Sequence, residues 1–209
     1  MRLGFFGGTF DPIHYGHLML AEQCREQAGL DRVLFVPASQ SPLKSSGPQV
    51  ADKHRLEMLS LAIAGHPNFE ISTTEVDRGG QSFTVDTLQE LKTEHPDSEL
   101  FLLIGEDSLQ TFDRWKEPKT ICELAMPLIC RRPDAGTKSD QEKVDLSLLQ
   151  PFMDEQSLAK TRQAAIVSRL IEISGTDIRD RIAKDQSIRY LLPRSVEKYI
   201  ETQRLYRTE

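Results

Sequence analysis

The stretch Leu3-Gly4-Phe5-Phe6-Gly7-Gly8 runs into Thr9-Phe10-Asp11-Pro12-Ile13-His14-Tyr15-Gly16-His17-Leu18 and constrains the fold more than any other part of the chain. An apolar run breaks at a double glycine, and a short polar loop then leads to two histidines three residues apart. Leu18, Ala21, Cys24 and Ala28 follow at helical spacing. A strand, a glycine turn and a helix N-terminus make a ready anion site. Glycine lets backbone N–H groups approach a phosphate, and the helix dipole adds partial positive charge. Histidines there supply hydrogen bonds, and positive charge when protonated. The segment predicts an α/β enzyme that handles nucleotides.

The rest of the chain continues the alternation of strands and helices. The helix is expected over Tyr15–Gln27, with Gly29 as its stop, and Arg32–Val36 is a second strand ended by Pro37. Strand, helix and strand in so short a span form a right-handed βαβ unit with parallel strands. The loop Ala38–Ala51 leaves the same sheet edge as the glycine turn, and Lys44 is its one basic residue. A helix follows with Asp52 as N-cap and a face of Leu56, Leu59 and Ile63. After a strand at Phe69–Ser72, Gly79-Gly80-Gln81-Ser82-Phe83-Thr84 leads into a helix carrying Val85, Leu88 and Leu91. Ser82 or Thr84 is there either a cap or a ligand contact.

Leu100–Ile104 is the clearest strand, and it runs into Gly105-Glu106-Asp107-Ser108. An acidic residue just past a strand end suits a ribose hydroxyl. Trp115 stands among Asp113, Arg114, Lys116 and Glu117, which implies a partly open setting. Pro127–Cys130 is a fifth strand, and 134–163 is a polar, partly helical connection with no chemistry assigned. Arg169–Ile173 is a sixth strand, and Ser174 and Asp177 then have capping-box spacing. Arg179 falls in the first turns of that helix, where a cation opposes the dipole and an anion nearby is required. Val196, Tyr199 and Ile200 behind Pro193 form a closing helix. The expected fold is α/β, Rossmann-like and doubly wound. It has a mainly parallel sheet of about six strands and a small C-terminal helical part, as one domain over 1–209.

Composition narrows the chemistry. A net charge of −6 argues against a nucleic-acid partner, which leaves a basic footprint. No apolar run approaches the roughly 18 residues of a membrane span, and no signal-peptide pattern opens the chain, so a cytoplasmic protein is expected. Cys24, Cys122 and Cys130 form no C-x-x-C pair, so neither disulfides nor a zinc knuckle is expected. His14 and His17 taken alone have metal-pair spacing, but only Asp11 lies near as a third ligand, and no protein metal site is assigned. The chain contains neither G-x-x-x-x-G-K-[ST] nor G-x-G-x-x-G after the first strand, and no G-x-S-x-G elbow. What remains is phosphoryl or nucleotidyl transfer by positioning and charge stabilisation.

Gly7-Gly8-Thr9-Phe10-Asp11-Pro12-Ile13-His14-Tyr15-Gly16-His17 resembles the signature of the H-x-G-H nucleotidyltransferase superfamily. Ile173-Ser174-Gly175-Thr176-Asp177-Ile178-Arg179 resembles that superfamily's I-S-x-T-x-I-R motif. Arg78–Leu88, Ile104–Ser108 and Trp115 are similar to the bacterial nicotinate-nucleotide adenylyltransferase family. Where that family often has Pro-Pro-His-Lys, this chain reads Ser41-Pro42-Leu43-Lys44, keeping the lysine without the histidine.

The resemblance implies transfer of AMP from ATP to nicotinate mononucleotide, giving deamido-NAD and pyrophosphate, with substrate-held Mg²⁺. It implies His14 at the α-phosphate, His17 on the β/γ side, and Gly7, Gly8, Thr9 and Phe10 lining the glycine turn. Lys44 and Arg179 would neutralise phosphate charge, helped by Ser174 and Thr176, and Gly105 and Asp107 would meet the adenylate half. The acceptor would lie against Thr9, Lys44, Ser82, Phe83, Thr84, Trp115 and Lys116. Its ring would rest on Trp115, and its carboxylate on N–H groups near Thr84 and Lys116. Two other readings stay open: a transferase of the same superfamily acting on phosphopantetheine or a polyol phosphate, and an inactive nucleotide-binding regulatory module. The sequence leaves the oligomeric state open.

Overall fold

A computed structural model describes residues 1–42, 47–131, 145–167 and 173–207. Six strands form the sheet: β1 (Arg2–Gly8), β2 (Arg32–Pro37), β3 (Phe69–Ile71), β4 (Glu99–Gly105), β5 (Met126–Arg131) and β6 (Ile166–Val167). All five pairings are parallel and the spatial order is β3-β2-β1-β4-β5-β6. The order reverses between β1 and β4, the switch point at which ligands of open α/β sheets bind, beyond the C-terminal ends of the strands.

The strands are apolar almost throughout because both sheet faces are covered. Phe6, Val33, Phe35, Phe101, Leu103, Leu128 and Cys130 point to one buried layer. Leu3, Phe5, Leu34, Val36, Leu100, Leu102, Ile104 and Ile129, their alternating neighbours, point to the other. Gly4 breaks the size pattern for a steric reason: a Cβ there would lie 2.8 Å from Leu30 Cδ1.

The helices among the described residues are α1 (Tyr15–Gln27), α2 (Asp52–Ile63), α3 (Thr74–Arg78), α4 (Thr84–Glu94), α5 (Glu106–Leu109), α6 (Pro118–Leu124), α7 (Glu155–Gln163), α8 (Gly175–Ala183) and α9 (Arg194–Gln203). The expected limits of α1 hold, and Gly29 beyond it has a φ of 60°. α4 buries Val85, Leu88 and Leu91 as predicted, together with Thr87.

Three local readings need correction. Ala51, not Asp52, is the N-cap of α2: Asp52 is already the first helical residue, and its carboxylate accepts from Arg55 Nη2 at 2.5 Å. The buried face of α2 is Arg55, Met58, Leu59 and Ile63, and Leu56 is only half-buried. Phe83 is the N-cap of α4, since the Ser82 hydroxyl faces the other way and accepts the Ser39 N–H at 2.9 Å. A sixth strand is described at Ile166–Val167, and the expected strand Arg169–Ile173 lies, apart from Ile173, outside the described residues.

No helix among the described residues is long and apolar enough to cross a membrane. The three cysteines are free, and the Cys24 and Cys130 sulfurs lie 2.9 Å apart inside the core.

Candidate active site

Every strand is parallel, so the loops carrying the two signature motifs emerge on one edge of the sheet. The first is built differently from a glycine turn. Gly7 and Gly8 remain extended as the end of β1, and the left-handed residue is Phe10, with a φ of 46° and its ring buried. Gly8 is required by that ring, because a Cβ there would lie 2.9 Å from Phe10 Cζ. Phe10 packs edge-on against Phe6 and against His17, at centroid separations of 5.5 and 5.1 Å. Strain in a bulky left-handed residue persists only where packing over-determines it, and functional loops are where that happens. The Asp11–Pro12 peptide that follows is cis.

His14 is the N-cap of α1, in extended conformation, and contributes no capping side-chain bond. Its imidazole is 5% exposed and stacks on that of His17 at 3.7 Å with a 24° tilt. Gly16 makes the stack possible: a Cβ there would lie 3.0 Å from His14 Nδ1. Burial pushes the His14 pKa down to about 4. Two imidazolium rings at such a spacing would also repel by about 4 kcal/mol at an effective dielectric near 20. His14 is therefore neutral near pH 7 in the ligand-free protein and acts there as a hydrogen-bonding ring.

A His14 pKa below that of the unfolded chain means that acid favours unfolding. The stability is intact above about pH 6.5 and is lost as pH falls toward 4. Urea titrations at pH 7 and pH 4.5 should show His14→Asn losing about 2–3 kcal/mol less than the unsubstituted protein over that interval. Parallel losses in both would remove His14 as the cause.

The second signature docks on the first through reciprocal close approaches. A Cβ on Gly175 would lie 3.1 Å from the Asp11 carbonyl oxygen, and one on Gly16 would lie 3.5 Å from the Ile173 carbonyl oxygen. Arg179 Nη1 donates to the Asp11 carbonyl at 2.6 Å and Nη2 to the Thr176 hydroxyl at 3.2 Å. The cation expected to need an anion is thus held by the Asp11 carbonyl of the first signature and the Thr176 hydroxyl of its own helix. Ser174 caps α8 as its spacing predicts, accepting the Asp177 N–H at 3.1 Å. The Asp177 N–H and the Ser174 oxygen are thereby engaged with each other.

Between the two switch-point strands, Gly105 ends β4 and caps α5, and a Cβ there would meet nothing within 4 Å. Asp107 stands exposed one turn further on. Trp115 is half-buried against Phe112, at a centroid distance of 5.2 Å, with its indole N–H buried and unbonded. Lys116 pairs with Asp86 at 2.8 Å and lies 4.9 Å above the Phe83 ring. Thr84 opens α4, whose N-terminus has no capping side chain. Ser82 N–H bonds the Gln40 carbonyl at 2.8 Å, stitching this segment to the loop after β2. Lys44, with Leu43, lies outside the described residues.

Three supports escape a reading of the sequence. Arg55 is 0% exposed and donates to the Thr9 carbonyl at 2.8 Å, bracing the loop from behind. Asp11, 6% exposed, is a hub. One carboxylate oxygen accepts the Gln49 N–H at 2.7 Å and the other accepts the Tyr206 hydroxyl at 2.6 Å, so it is engaged as a loop brace. Tyr206 arrives from the far end of the chain. The one available signal was the i, i+3 pair Asp52 and Arg55 on an otherwise apolar helix face.

The sequence profile of the cytidylyltransferase-like family matches residues 5–181. A protein of Thermomicrobium roseum named a probable nicotinate-nucleotide adenylyltransferase is 45% identical over 207 residues, covering 99% of this chain and 92% of its own. A protein of the same name from Rhodopirellula baltica is 40% identical over 98% of this chain and 93% of its own. The fold is shared with nicotinic acid mononucleotide adenylyltransferase of Plasmodium falciparum complexed with NaAD. The TM-score is 0.70 at 19% identity, covering 98% of this chain and 97% of that one. With such identity along nearly the whole chain, and with both signatures meeting at one sheet edge, the chain belongs to the cytidylyltransferase-like family and, within it, to the nicotinate-nucleotide adenylyltransferases.

Proposed function

We propose that this chain, acting as one domain over 1–209, transfers AMP from ATP to nicotinate mononucleotide, releasing pyrophosphate and forming deamido-NAD. The observation that carries the reading is the stacked His14–His17 pair, held at the β1–β4 switch point beside an Arg179 anchored to the same loop. The near-full-length relatives support the choice of acceptor.

The acceptor's phosphate already carries a nucleophilic oxygen, so neither a general base nor a covalent intermediate is needed. The protein has to bring two polyanions into line and spread the charge that develops. In this reading one acceptor phosphate oxygen bonds to the α-phosphorus as the bridging oxygen to the β-phosphate leaves with pyrophosphate. His14 faces the α-phosphate, and His17 faces the β/γ side. Backbone N–H groups at Gly8, Thr9 and Phe10 line the approach. Arg179 and Lys44 offset phosphate charge, with Ser174 and Thr176 at the second helix start. An arriving polyanion also opposes the desolvation that keeps His14 neutral, and so favours its protonation.

Gly105 leaves room for the adenosine, and Asp107 meets ribose hydroxyls. The pyridine ring rests on Trp115, with its carboxylate toward the N-terminus of α4 at Thr84 and the Lys116 backbone, beside Phe83. Ser82 contributes by fixing the Ser39 backbone. No group of three or more His, Cys, Asp or Glu among the described residues is arranged to hold a metal ion, and Asp11 is committed to protein donors. In this reading Mg²⁺ arrives with the substrate, as the Mg–ATP complex. Three free thiols fit a reducing cytoplasm.

The test is pyrophosphate release from Mg–ATP in the presence of single acceptors. Release should depend on nicotinate mononucleotide and be slower with the amide, because a helix N-terminus favours a carboxylate. Release driven instead by phosphopantetheine or a polyol phosphate, or ATP binding without release, would overturn the reading.

A further inference from the structure

The last described turn of the chain reaches into the site through one side chain. α9 ends in a Schellman-type turn: Leu205 N–H bonds the Ile200 carbonyl at 3.1 Å, and Arg204 takes the left-handed conformation that glycine usually supplies, with a φ of 52°. Leu205 is thereby buried, and Tyr206, itself left-handed at 62°, turns back along the core. Its hydroxyl donates to Asp11 Oδ1 at 2.6 Å across 195 residues of sequence. The ring sits within the fields of Arg55 and Arg179 as well as Asp11. Desolvation and the adjoining Asp11 carboxylate push the phenol pKa far up, so the hydroxyl remains a donor.

Asp11 is where three lines meet. Its carbonyl anchors Arg179, and its other carboxylate oxygen anchors Gln49, in the same Ala38–Ala51 loop as Lys44. With only one of its two donors left, the Asp11 side chain no longer ties its loop to the end of the chain, and the main-chain carbonyl that holds Arg179 belongs to that loop. We infer that Tyr206 is a positioning residue for the nucleotide: by fixing Asp11 it sets the direction in which Arg179 presents its charge to the triphosphate. The inference rests on the adenylyl-transfer reading for the identity of the reaction. The geometry it uses is that of the ATP side alone.

Tyr206→Phe removes the hydroxyl and keeps the ring. Steady-state rates should show kcat/KM for ATP falling about tenfold, with KM for ATP rising severalfold and KM for nicotinate mononucleotide within twofold of the unsubstituted protein. Loss of folded protein would behave otherwise, lowering kcat while leaving both KM values unchanged. Ile200→Val, a one-carbon trim in the same helix, supplies that comparison: it should lower Tm while leaving both KM values unchanged. Equal effects of Tyr206→Phe on both substrates, or none on ATP, would overturn the positioning role. Calorimetric titration with Mg–ATP alone keeps the two ideas separable. Weaker ATP binding by Tyr206→Phe supports the inference even if no acceptor turns over, a result that would overturn the reaction. Unchanged ATP affinity in the variant would overturn the inference itself.

Discussion

Replacing His17 by alanine should lower adenylyl transfer by about 10³-fold while leaving the protein folded. Removing a single preorganised group that stabilises transition-state charge costs on the order of 10²–10³ in kcat, and two features of this site put His17 at the upper end. Its ring is held on both sides, stacked on His14 and edge-on to Phe10, so it meets its target without reorganising. It also lies in the first turn of α1, and in the proposed reaction it faces the side on which the leaving pyrophosphate gathers charge. Stability should change little, because the His17 ring is only half-buried and the residue lies within a helix that alanine favours. The measurements are pyrophosphate release under saturating substrates and thermal melting of the same samples. Turnover within tenfold of the unsubstituted protein would remove His17 from the chemistry.

The strands of this fold were legible because burial on both faces writes an apolar run of strand length, and five of the six runs stand where such runs occur. β6 was harder to place, being two described residues with too little sequence to show a period. The histidines, Arg179 and the α8 cap were legible for a different reason: a glycine or hydroxyl residue just past an apolar run marks a helix start. What the glycines do was not legible. Gly8, Gly16 and Gly175 are needed for the space of Phe10, His14 and the Asp11 carbonyl, not for a left-handed turn, and a vacant volume has no local sequence signal.

The braces were hidden for the same reason. Arg55 has i, i+3 spacing to Asp52, but nothing in that spacing tells that the fold carries the Thr9 carbonyl over its guanidinium. The Tyr206–Asp11 bond joins segments with no local relation. The residues to which the chemistry is assigned sit at recurrent positions of the βα unit, whereas those that hold them are chosen by tertiary packing.

Gly16 separates stability from activity more sharply than any other position in the first signature. Alanine at this second position of α1 is a better helix former than glycine, by up to about 1 kcal/mol, and Gly16 does not take a left-handed conformation that would forbid it. The added methyl would nevertheless lie 3.0 Å from His14 Nδ1 and 3.1 Å from Cε1, inside ordinary contact distance. The helix backbone cannot yield easily, because the Ile173 carbonyl lies 3.5 Å away on the same side. The imidazole has to give, and it is already stacked at 3.7 Å on His17, which in turn touches Phe10. The displacement therefore passes to both histidines.

Since misplacing a reacting group by about 1 Å costs roughly 10²-fold, a shift of a few tenths of an ångström shared by two rings should lower kcat by about 10- to 100-fold. Tm should stay level or rise. An NMR titration of the His14 ring supplies the independent check: a displaced, better-hydrated imidazole should titrate above its present value of about 4. A Gly16→Ala protein with full activity and an unmoved His14 titration would show that the stack does not depend on the missing side chain. A fall in both Tm and kcat would instead point to a strained helix start. A protein as stable or more so, yet slower, would mean that glycine is kept at this position for the histidine beside it and not for the helix it belongs to.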